Sequence, residues 1–337
     1  MTGGCGTSSS AISRRTISAS PSGTPIAPAN LKPALGGLLD RNGPPPTGYA
    51  SVMGGFVVNV YWADLQHQQG GDIASHNAID QAIAQLHSID PTGDMGLKIR
   101  LFAGIYAPEW AKSLDGPPIR IRDPATGKSG TIGRFWTPDF GAAYSDLMTK
   151  LAANYDSAPE VREVTISRCT TAYAEPFIRD AGDAATVSAM LAAGFTVAAD
   201  KTCEREQVQS HLVWQQTRSD LSFNPYQVID GTWHSDEAFT ESMMDFCRAT
   251  LGARCVLANN SIRLPLQFPA MYDHIKALGP PIAFQTAVMA KVGDLAGTLE
   301  TAIGLGAGSV ELPGGFQALP ISTLAAYNAR LKAQATY

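Results

Sequence analysis

The chain has 337 residues, enough for two ordinary domains or for one large domain with a single core, such as an α/β barrel. Hydrophobic residues make up 45% and charged residues 16% of the sequence, a composition that excludes a disordered or fibrous protein. The net charge is −5 and no dense run of Lys and Arg occurs, so the sequence predicts no nucleic-acid partner. No apolar run approaches the ~18 residues that a membrane-spanning helix requires. We therefore expect a small neutral or polar ligand.

Residues 1–30 are rich in Ser, Thr, Gly, Pro and Ala and show no hydrophobic periodicity, which predicts a flexible, disordered tether. Residues 31–337 are predicted to form one domain. Within the tether, Cys5 follows small residues and precedes a Ser-rich run, "GGCGTSSS", which resembles the mature end of a bacterial lipoprotein. The resemblance implies a lipid anchor through Cys5 and an extracytoplasmic protein, secreted or held at a bacterial surface. The alternative is that Cys5 is incidental.

From Ala34 onward, apolar strand-like runs alternate with patterns of helical period, which favours a parallel sheet covered by helices. Ser75 and Ser235 are predicted as N-caps of two of these helices, and Gly252 as a C-terminal stop. Eight strands are predicted, at residues 34–39, 56–63, 97–105, 160–169, near 213–221, 254–260, 281–287 and 308–312. Eight strand–helix units in about 300 residues predict a single (β/α)8 TIM barrel of the α/β class.

The four cysteines beyond the tether form an even set with no CxxC spacing. Cys247 lies near a predicted helix end and Cys255 at the start of the next strand, a separation that a disulfide could close. If the protein is exported, one or two disulfides are expected among Cys169, Cys203, Cys247 and Cys255. The alternative is four buried thiols.

Patterns for metals and nucleotides are weak. The six histidines form no HxH or HExxH pair, so no metal site and no cofactor are predicted. The segment "ATGKSG" is similar to a phosphate-binding loop, but Arg122 stands where that pattern needs its first glycine. No protein partner is predicted either.

A long segment, residues 106–138, follows the third predicted strand and is rich in Trp, Pro and Gly. Because the active sites of barrels are built from the loops after the strands, we predict that it forms a lip over a ligand groove; a disordered insert is the alternative. Carboxylates, amides, guanidinium groups and indoles around one mouth suit a sugar ligand. Such residues follow the predicted strands at Trp62, Asp64, Glu109, Trp110, Arg168, Tyr173, Glu175, Asn224, Tyr226, Asn259, Asn260, Arg263, Gln285 and Glu311.

The stretch "TTAYAEPF" places Glu175 before Pro176 just after the fourth predicted strand. Here the chain resembles the clan of (β/α)8 glycoside hydrolases that includes β-galactosidases, cellulases and β-mannanases. In that clan the fourth strand ends in Asn-Glu-Pro, whose Glu is the acid/base, and the seventh ends in a Glu nucleophile. "VYWADL" and "IRLFAGIYAPEW" resemble the second and third units of the β-galactosidase-like members. The resemblance covers most of residues 34–330 in architecture and implies a glycosidase with Glu175 as general acid/base.

The sequence departs from that clan at two positions. Ala174 replaces the Asn, and Gln285 occupies the place of the nucleophile, where a neutral amide cannot form a glycosyl ester. Three alternatives remain: Glu311 is the second carboxylate, Asp64 activates water for inversion, or the pocket binds a glycan without hydrolysis. A lyase or isomerase acting on a phosphorylated metabolite is a weaker alternative. Predicted substrate-binding residues are Trp62, Glu109, Trp110, Arg168, Tyr173, Asn259, Asn260, Arg263 and Gln285.

Overall fold

The structure is a computed structural model that describes Met1 and residues 30–335. The predicted tether, including Cys5, lies outside the described residues except for Met1 and Asn30. No helix in residues 30–335 combines the length and the apolar character needed to cross a membrane.

Eight parallel strands close into a barrel in the order β1-β12-β11-β10-β7-β6-β3-β2. The barrel strands are β1 (Gly37–Asp40), β2 (Gly55–Tyr61), β3 (Gly96–Phe102), β6 (Val161–Thr165), β7 (Arg218–Ser222), β10 (Cys255–Ile262), β11 (Ile282–Thr286) and β12 (Ser309–Leu312). Two antiparallel hairpins are added to it, formed by β4 (Ile119–Arg122) with β5 (Ser129–Ile132) and by β8 (Tyr226–Ile229) with β9 (Trp233–Asp236). Every predicted strand overlaps one barrel strand, and the predicted (β/α)8 fold is confirmed.

Helices connect the strands and cover the outside of the barrel. They are α1 (Trp62–Leu65), α2 (Ala78–Ile89), α3 (Glu109–Lys112), α4 (Pro138–Tyr155), α5 (Ala184–Ala192), α6 (Val197–Ser210), α7 (Glu237–Leu251), α8 (Pro269–Leu278), α9 (Met289–Val292), α10 (Leu295–Gly304) and α11 (Ile321–Gln334). The segment 106–138 contains α3 and the β4–β5 hairpin, so the alternative of a disordered insert is wrong.

The helix caps differ from the predicted ones by one or two residues. Asn77, not Ser75, caps α2, where its side chain accepts a backbone hydrogen bond from the first turn. Asp236 caps α7 in the same way, while Ser235 lies in β9. Amide and carboxylate oxygens are acceptors as suitable as a serine hydroxyl at this position, so the sequence offered neighbouring candidates. The predicted stop at Gly252 is confirmed, with a φ of 59°.

The apolar core lies between the strands and the helices, whereas the inside of the barrel is largely charged. Residues that alternate along a strand face opposite sides of the sheet. Leu257 belongs to the main core, and its neighbours Val256 and Ala258 form a separate small cluster with Ala283. That cluster is small because charged side chains occupy the same inward-facing layers.

Lys98 on β3 is the centre of this charged interior. Its ammonium lies 2.9 Å from Glu163, 2.7 Å from Asp220 and 3.0 Å from Glu311. Since β3 and β12 are not neighbours in the sheet, the contact with Glu311 crosses the barrel. Arg100, two residues further along β3, also pairs with Glu311. Burying these charges is tolerable only because each carboxylate has a cation partner.

Two disulfides bind loops and strands to the helix layer. Cys169, after β6, is joined to Cys203 on α6, and Cys247 on α7 is joined to Cys255 at the start of β10. The predicted Cys247–Cys255 bridge is confirmed, and the alternative of four thiols is wrong.

Candidate active site

Glu175 lies in the loop that joins β6 to α5, and its surroundings favour a protonated carboxyl group. The side-chain amide of Asn224, after β7, donates to Glu175 Oε2 at 2.9 Å. Burial raises the pKa of Glu175; the Asn224 hydrogen bond and the charge of Arg100 oppose that rise, and the charges of Asp180 and Glu311 add to it. Groups from several strands thus act on this one carboxyl.

Arg179 holds the loop in place on the C-terminal side of Glu175. Its guanidinium binds both carboxylate oxygens of Asp200 at 2.8 Å and also pairs with Glu204, two acids on α6. It donates as well to the backbone carbonyl of Pro176, directly after Glu175. Because the Cys169–Cys203 bridge fastens the start of the same loop to α6, the loop is fixed on both sides of Glu175.

Asn224 is itself oriented by Asn259 on β10. The amide of Asn259 donates to the backbone carbonyl of Phe223 at 2.8 Å and to Asn224 Oδ1 at 3.3 Å. Tyr272 on α8 donates to Asn259 Oδ1 at 2.8 Å, and this hydrogen bond fixes the orientation of the Asn259 amide, with its NH₂ group toward Asn224. With its oxygen occupied in this way, Asn224 presents its NH₂ group to Glu175.

The neighbouring predicted residues Asn260 and Gln285 bind each other. The side-chain amide of Gln285 donates to the backbone carbonyl of Asn260 at 2.9 Å, and Ser222 donates to Asn260 Oδ1 at 2.9 Å. Gln285 lies in β11 in register with Glu311 on β12. The amides predicted to contact a sugar are therefore engaged with the protein at the carboxyl ends of β7, β10 and β11.

Glu311 and Asp64, the two predicted partners of Glu175, have opposite environments. Glu311 is 2% exposed. Burial would raise its pKa, but the charges of Arg100 and Lys98 outweigh that effect and lower it, so Glu311 is ionised. Asp64 is exposed on α1. Of the two, Glu311 is among the charges that act on Glu175.

An open groove of about 530 Å³ begins beside Asn224. Trp233 on β9 is 75% exposed and Phe268, before α8, is 50% exposed, so the groove presents aromatic surface to solvent. Polar side chains of Gln227 and His234 line it as well. Sequence reasoning missed Trp233 and Phe268 because the β8–β9 hairpin was not predicted; the Gly231 that precedes "TWHSD" was the available signal.

A second aromatic group lies on the side of the mouth formed by β2 and β3. The rings of Tyr61 and Tyr106 stack with centroids 4.3 Å apart, and Phe102 packs against both. Tyr173, two residues before Glu175, donates to Asp123 Oδ2 at 2.7 Å. The β4–β5 hairpin, which carries Asp123 at its turn, is thereby attached to the Glu175 loop and lies where the lip was predicted.

Four other predicted residues are engaged in the helix layer or at its surface. Because β2 ends at Tyr61, Trp62 starts α1; its indole is fully buried against Trp110, Phe140 and Tyr144, so no face of it is open to a ligand. The partly buried Trp110 donates to the backbone carbonyl of Gln66 at 3.3 Å. Arg168 is buried and pairs with Glu206 on α6, and Glu109 is exposed and pairs with Lys112.

Arg263, just after β10, is half-buried and donates to the carbonyl of Ser261 at 3.4 Å. Within residues 30–335, no group of three or more His, Cys, Asp and Glu side chains is arranged to hold a metal ion.

No family model matches the chain, and no curated protein matches it. Solved structures that are similar in fold include two with TM-scores of at least 0.50. An endo-β-1,4-glucanase from Xanthomonas axonopodis pv. citri carrying a triple mutation is 10% identical, with 90% of this chain and 95% of that chain covered and a TM-score of 0.51. The catalytic domain of a β-amylase from Paenibacillus polymyxa is 10% identical, with 88% and 94% covered and a TM-score of 0.50. At such identities the likeness establishes the barrel fold.

Proposed function

We propose that the protein is a glycoside hydrolase acting on a polysaccharide or oligosaccharide, with Glu175 as general acid/base. The observation that carries the proposal is the partly buried carboxyl of Glu175, whose pKa is raised by burial and whose neighbour Asn224 lines a groove with exposed aromatic rings. Aromatic faces stack on the apolar faces of sugars, and polar groups bind their hydroxyls. The similarly folded proteins are named as an endo-β-1,4-glucanase and a β-amylase, which supports the same class of substrate.

The hydrogen bond from Asn224 sets the direction of proton transfer. Because the Asn224 amide donates to Oε2, that oxygen is the acceptor in the neutral carboxyl group, and the proton belongs to Oε1. Oε1 then protonates the glycosidic oxygen of the leaving group. As that bond breaks, Glu311 attacks the anomeric carbon and forms a glycosyl ester. The ionised Glu175 then deprotonates the water that displaces Glu311 and completes hydrolysis.

Glu311 is the partner that we propose for Glu175. The acid must be protonated and the nucleophile ionised, and the pKa values of this pair are shifted in those directions: burial raises that of Glu175, while Arg100 and Lys98 lower that of Glu311. Asp64 is the alternative, as a base for an inverting reaction in which the two carboxyl groups are ~6.5–9.5 Å apart.

The test is the release of reducing sugar from a panel of glycans by the wild type and by Glu175→Gln. We expect the variant to lose about 10²- to 10⁴-fold in rate on whichever glycan the wild type cleaves, because the proton donor is gone. Glu300→Gln is the matched control, since it removes an exposed carboxylate on α10 that pairs with Arg330. Equal rates for wild type and Glu175→Gln would sink the assignment.

A glycan-binding protein without turnover is the second candidate, and two observations favour it. The position of the clan nucleophile is Gln285, and the neighbouring Glu311 is enclosed by two cations. This candidate predicts saturable glycan binding by the wild type with no release of reducing sugar and with no loss of affinity in Glu175→Gln.

We also propose that the protein acts outside the cytosol, secreted or anchored through Cys5. Two disulfides in one domain support an oxidising compartment, since cytosolic thiols are kept reduced. Labelling with a radioactive fatty acid, compared between the wild type and Cys5→Ser in a bacterial host, tests the anchor.

A further inference from the structure

We propose that the glycan bound at this mouth is anionic, and that Lys128 and Arg41 bind its carboxylate or sulfate groups. This inference rests on the proposed function in that it assigns the substrate class of the same site. It is carried by two half-buried cations at the mouth that have no carboxylate partner among residues 30–335.

Lys128 is held at a defined position by aromatic rings. It lies in the β4–β5 turn, directly before β5. Its ammonium is 4.7 Å from the ring centre of Tyr173, 4.9 Å from that of Tyr106 and 5.7 Å from that of Phe102. A cation over ring faces gains electrostatic attraction and loses side-chain freedom. The ammonium therefore points to a fixed place beside the loop that carries Glu175.

In the part of the chain that the structure describes, the charge of Lys128 has no acidic partner. Among the residues that the structure describes, no carboxylate lies within 4.0 Å of its ammonium. The nearest acid in sequence, Asp123, is committed elsewhere: it accepts from the backbone of Ala125 at 2.8 Å and from Tyr173 at 2.7 Å. The aromatic rings fix the cation but leave its hydrogen-bond donors free for an anion.

Arg41 repeats this situation at the end of β1. Its guanidinium donates to the backbone carbonyl of Thr286, at the end of β11, at 3.0 Å, and within residues 30–335 it has no carboxylate within 4.0 Å. Burial lowers the pKa of Arg41, and the charge of Arg100 adds to the fall, while Glu311 opposes it. A guanidinium has five donors, and a planar carboxylate or sulfate matches two of them at once.

Two cations away from the mouth, the buried Lys32 and the half-buried Arg248, are each bound by at least two backbone carbonyls. The cations beside the barrel interior and the Glu175 loop have carboxylate partners instead, and this contrast points to an anion as the missing partner at the mouth. Lys98, Arg100 and Arg179 are each paired with at least one carboxylate inside the protein. Desolvating a cation without such compensation is unfavourable. Where two cations at an open mouth lack it, a substrate that supplies the negative charge restores the balance, as a uronic acid or a sulfated sugar does.

Affinity electrophoresis of the full chain tests the inference. The probes are polygalacturonate and its carboxyl-reduced neutral form, and a sulfated galactan and its desulfated form. We expect retardation by at least one anionic glycan and much less by its neutral counterpart. The binding is expected to weaken about tenfold in each of Lys128→Met and Arg41→Met, to be largely retained in Lys128→Arg, and to fall with added salt.

Lys276→Met is the control for overall charge, because Lys276 is exposed near the end of α8. Equal retardation by charged and neutral forms, no retardation by either anionic glycan, or an equal loss in Lys276→Met and Lys128→Met would each overturn the inference. Glu175→Gln separates it from the proposed function, since that variant is expected to lose hydrolysis and keep charge-dependent binding. Cleavage of a neutral glycan without any need for Lys128 or Arg41 would leave the glycosidase proposal standing and remove this one.

Discussion

The barrel interior and the loop after β6 hold their carboxyl groups in opposite ways. In the interior, Glu163, Asp220 and Glu311 lie 2.7–3.0 Å from the Lys98 ammonium. In the loop, Glu175 accepts from a neutral amide, and no cation lies within 4.0 Å of it among the described residues. The pKa values of the buried Glu311 and the partly buried Glu175 are thus shifted in opposite directions, with that of Glu311 lowered and that of Glu175 raised.

The difference shows how one barrel can separate stability from reactivity. The strands place paired charges at the centre, where Lys98 holds Glu163 and Asp220 as well as Glu311 in fixed positions. The loop, attached to α6 from outside, holds a carboxyl group whose pKa is raised by burial and of which one oxygen accepts from Asn224. Disrupting the Lys98 network should lower the stability of the whole fold, whereas disrupting the contacts of the Glu175 loop should change the rate and the pH profile of catalysis.

The largest effect is expected from Lys98→Met. The substitution keeps the volume but leaves three buried carboxyl groups without their shared cation, so the free energy of unfolding should fall by about 3–5 kcal/mol near neutral pH. Urea or guanidinium unfolding measures this. Lys276→Met, on the exposed face of α8, should change stability by less than about 0.5 kcal/mol.

The loss in Lys98→Met should also depend on pH in one direction. Burial raises the pKa of Glu163 to about 7 in the wild type; the charge of Lys98 opposes the rise, and that of Asp220 adds to it. A raised carboxyl pKa favours the folded state at low pH and loses that contribution as pH rises through the folded value. The variant should therefore be less destabilised below about pH 5 than above about pH 8. A loss that grows on acidification would contradict the network described here.

A smaller effect, confined to the loop side, is expected from removing the Cys169–Cys203 bridge by changing both residues to Ser. Its cysteines are 34 residues apart in sequence, whereas those of Cys247–Cys255 are 8 apart. A bridge that closes a longer loop removes more conformational entropy from the unfolded chain, so its loss destabilises the fold more. We expect a loss of about 2–4 kcal/mol in stability. Removing Cys247–Cys255 is the matched control, expected to cost less.

The two bridges should differ further in their effect on catalysis. Only Cys169–Cys203 fastens the loop that carries Glu175, so only its removal should lower the rate of sugar release from protein that remains folded. Equal rates per folded molecule in the two variants would show that Arg179 alone suffices to fix the loop.

The barrel itself was predictable because its strands carry buried apolar residues at alternate positions, such as Leu97, Ile99 and Leu101 on β3, which belong to the main core. Its charged interior was not, although the signal was present in runs such as "LKIRLF" and "VREVT". Alternation of apolar and charged residues is typical of a strand with one face in water. In a closed barrel both faces are buried, and only the ring of strands shows that Lys98 meets Glu311 across the interior.

At the candidate site, residues that follow a strand in the sequence were correctly predicted to lie near the barrel mouth, but the direction of each side chain was not predicted. Glu175 and Asn224 meet as expected of residues at one mouth. Trp62 turns into the helix layer, because β2 ends one residue before it. Trp233 and Phe268 were missed, since they depend on a hairpin and a loop whose conformations carry no periodic signal.

The smallest effect is expected from Asn224→Ala, which removes the neutral amide that donates to Glu175. The Asn224 amide stabilises the ionised form of Glu175, so its removal should raise the pKa of Glu175 further. The alkaline limb of the pH profile of kcat/KM, where the general acid loses its proton, should then move to higher pH. The maximal rate should fall about tenfold because the carboxyl group is less well oriented. Asn154→Ala, on the exposed face of α4, should change neither. A limb that moves to lower pH would mean that the amide favours the protonated form, and the assignment of the proton to Oε1 would be wrong.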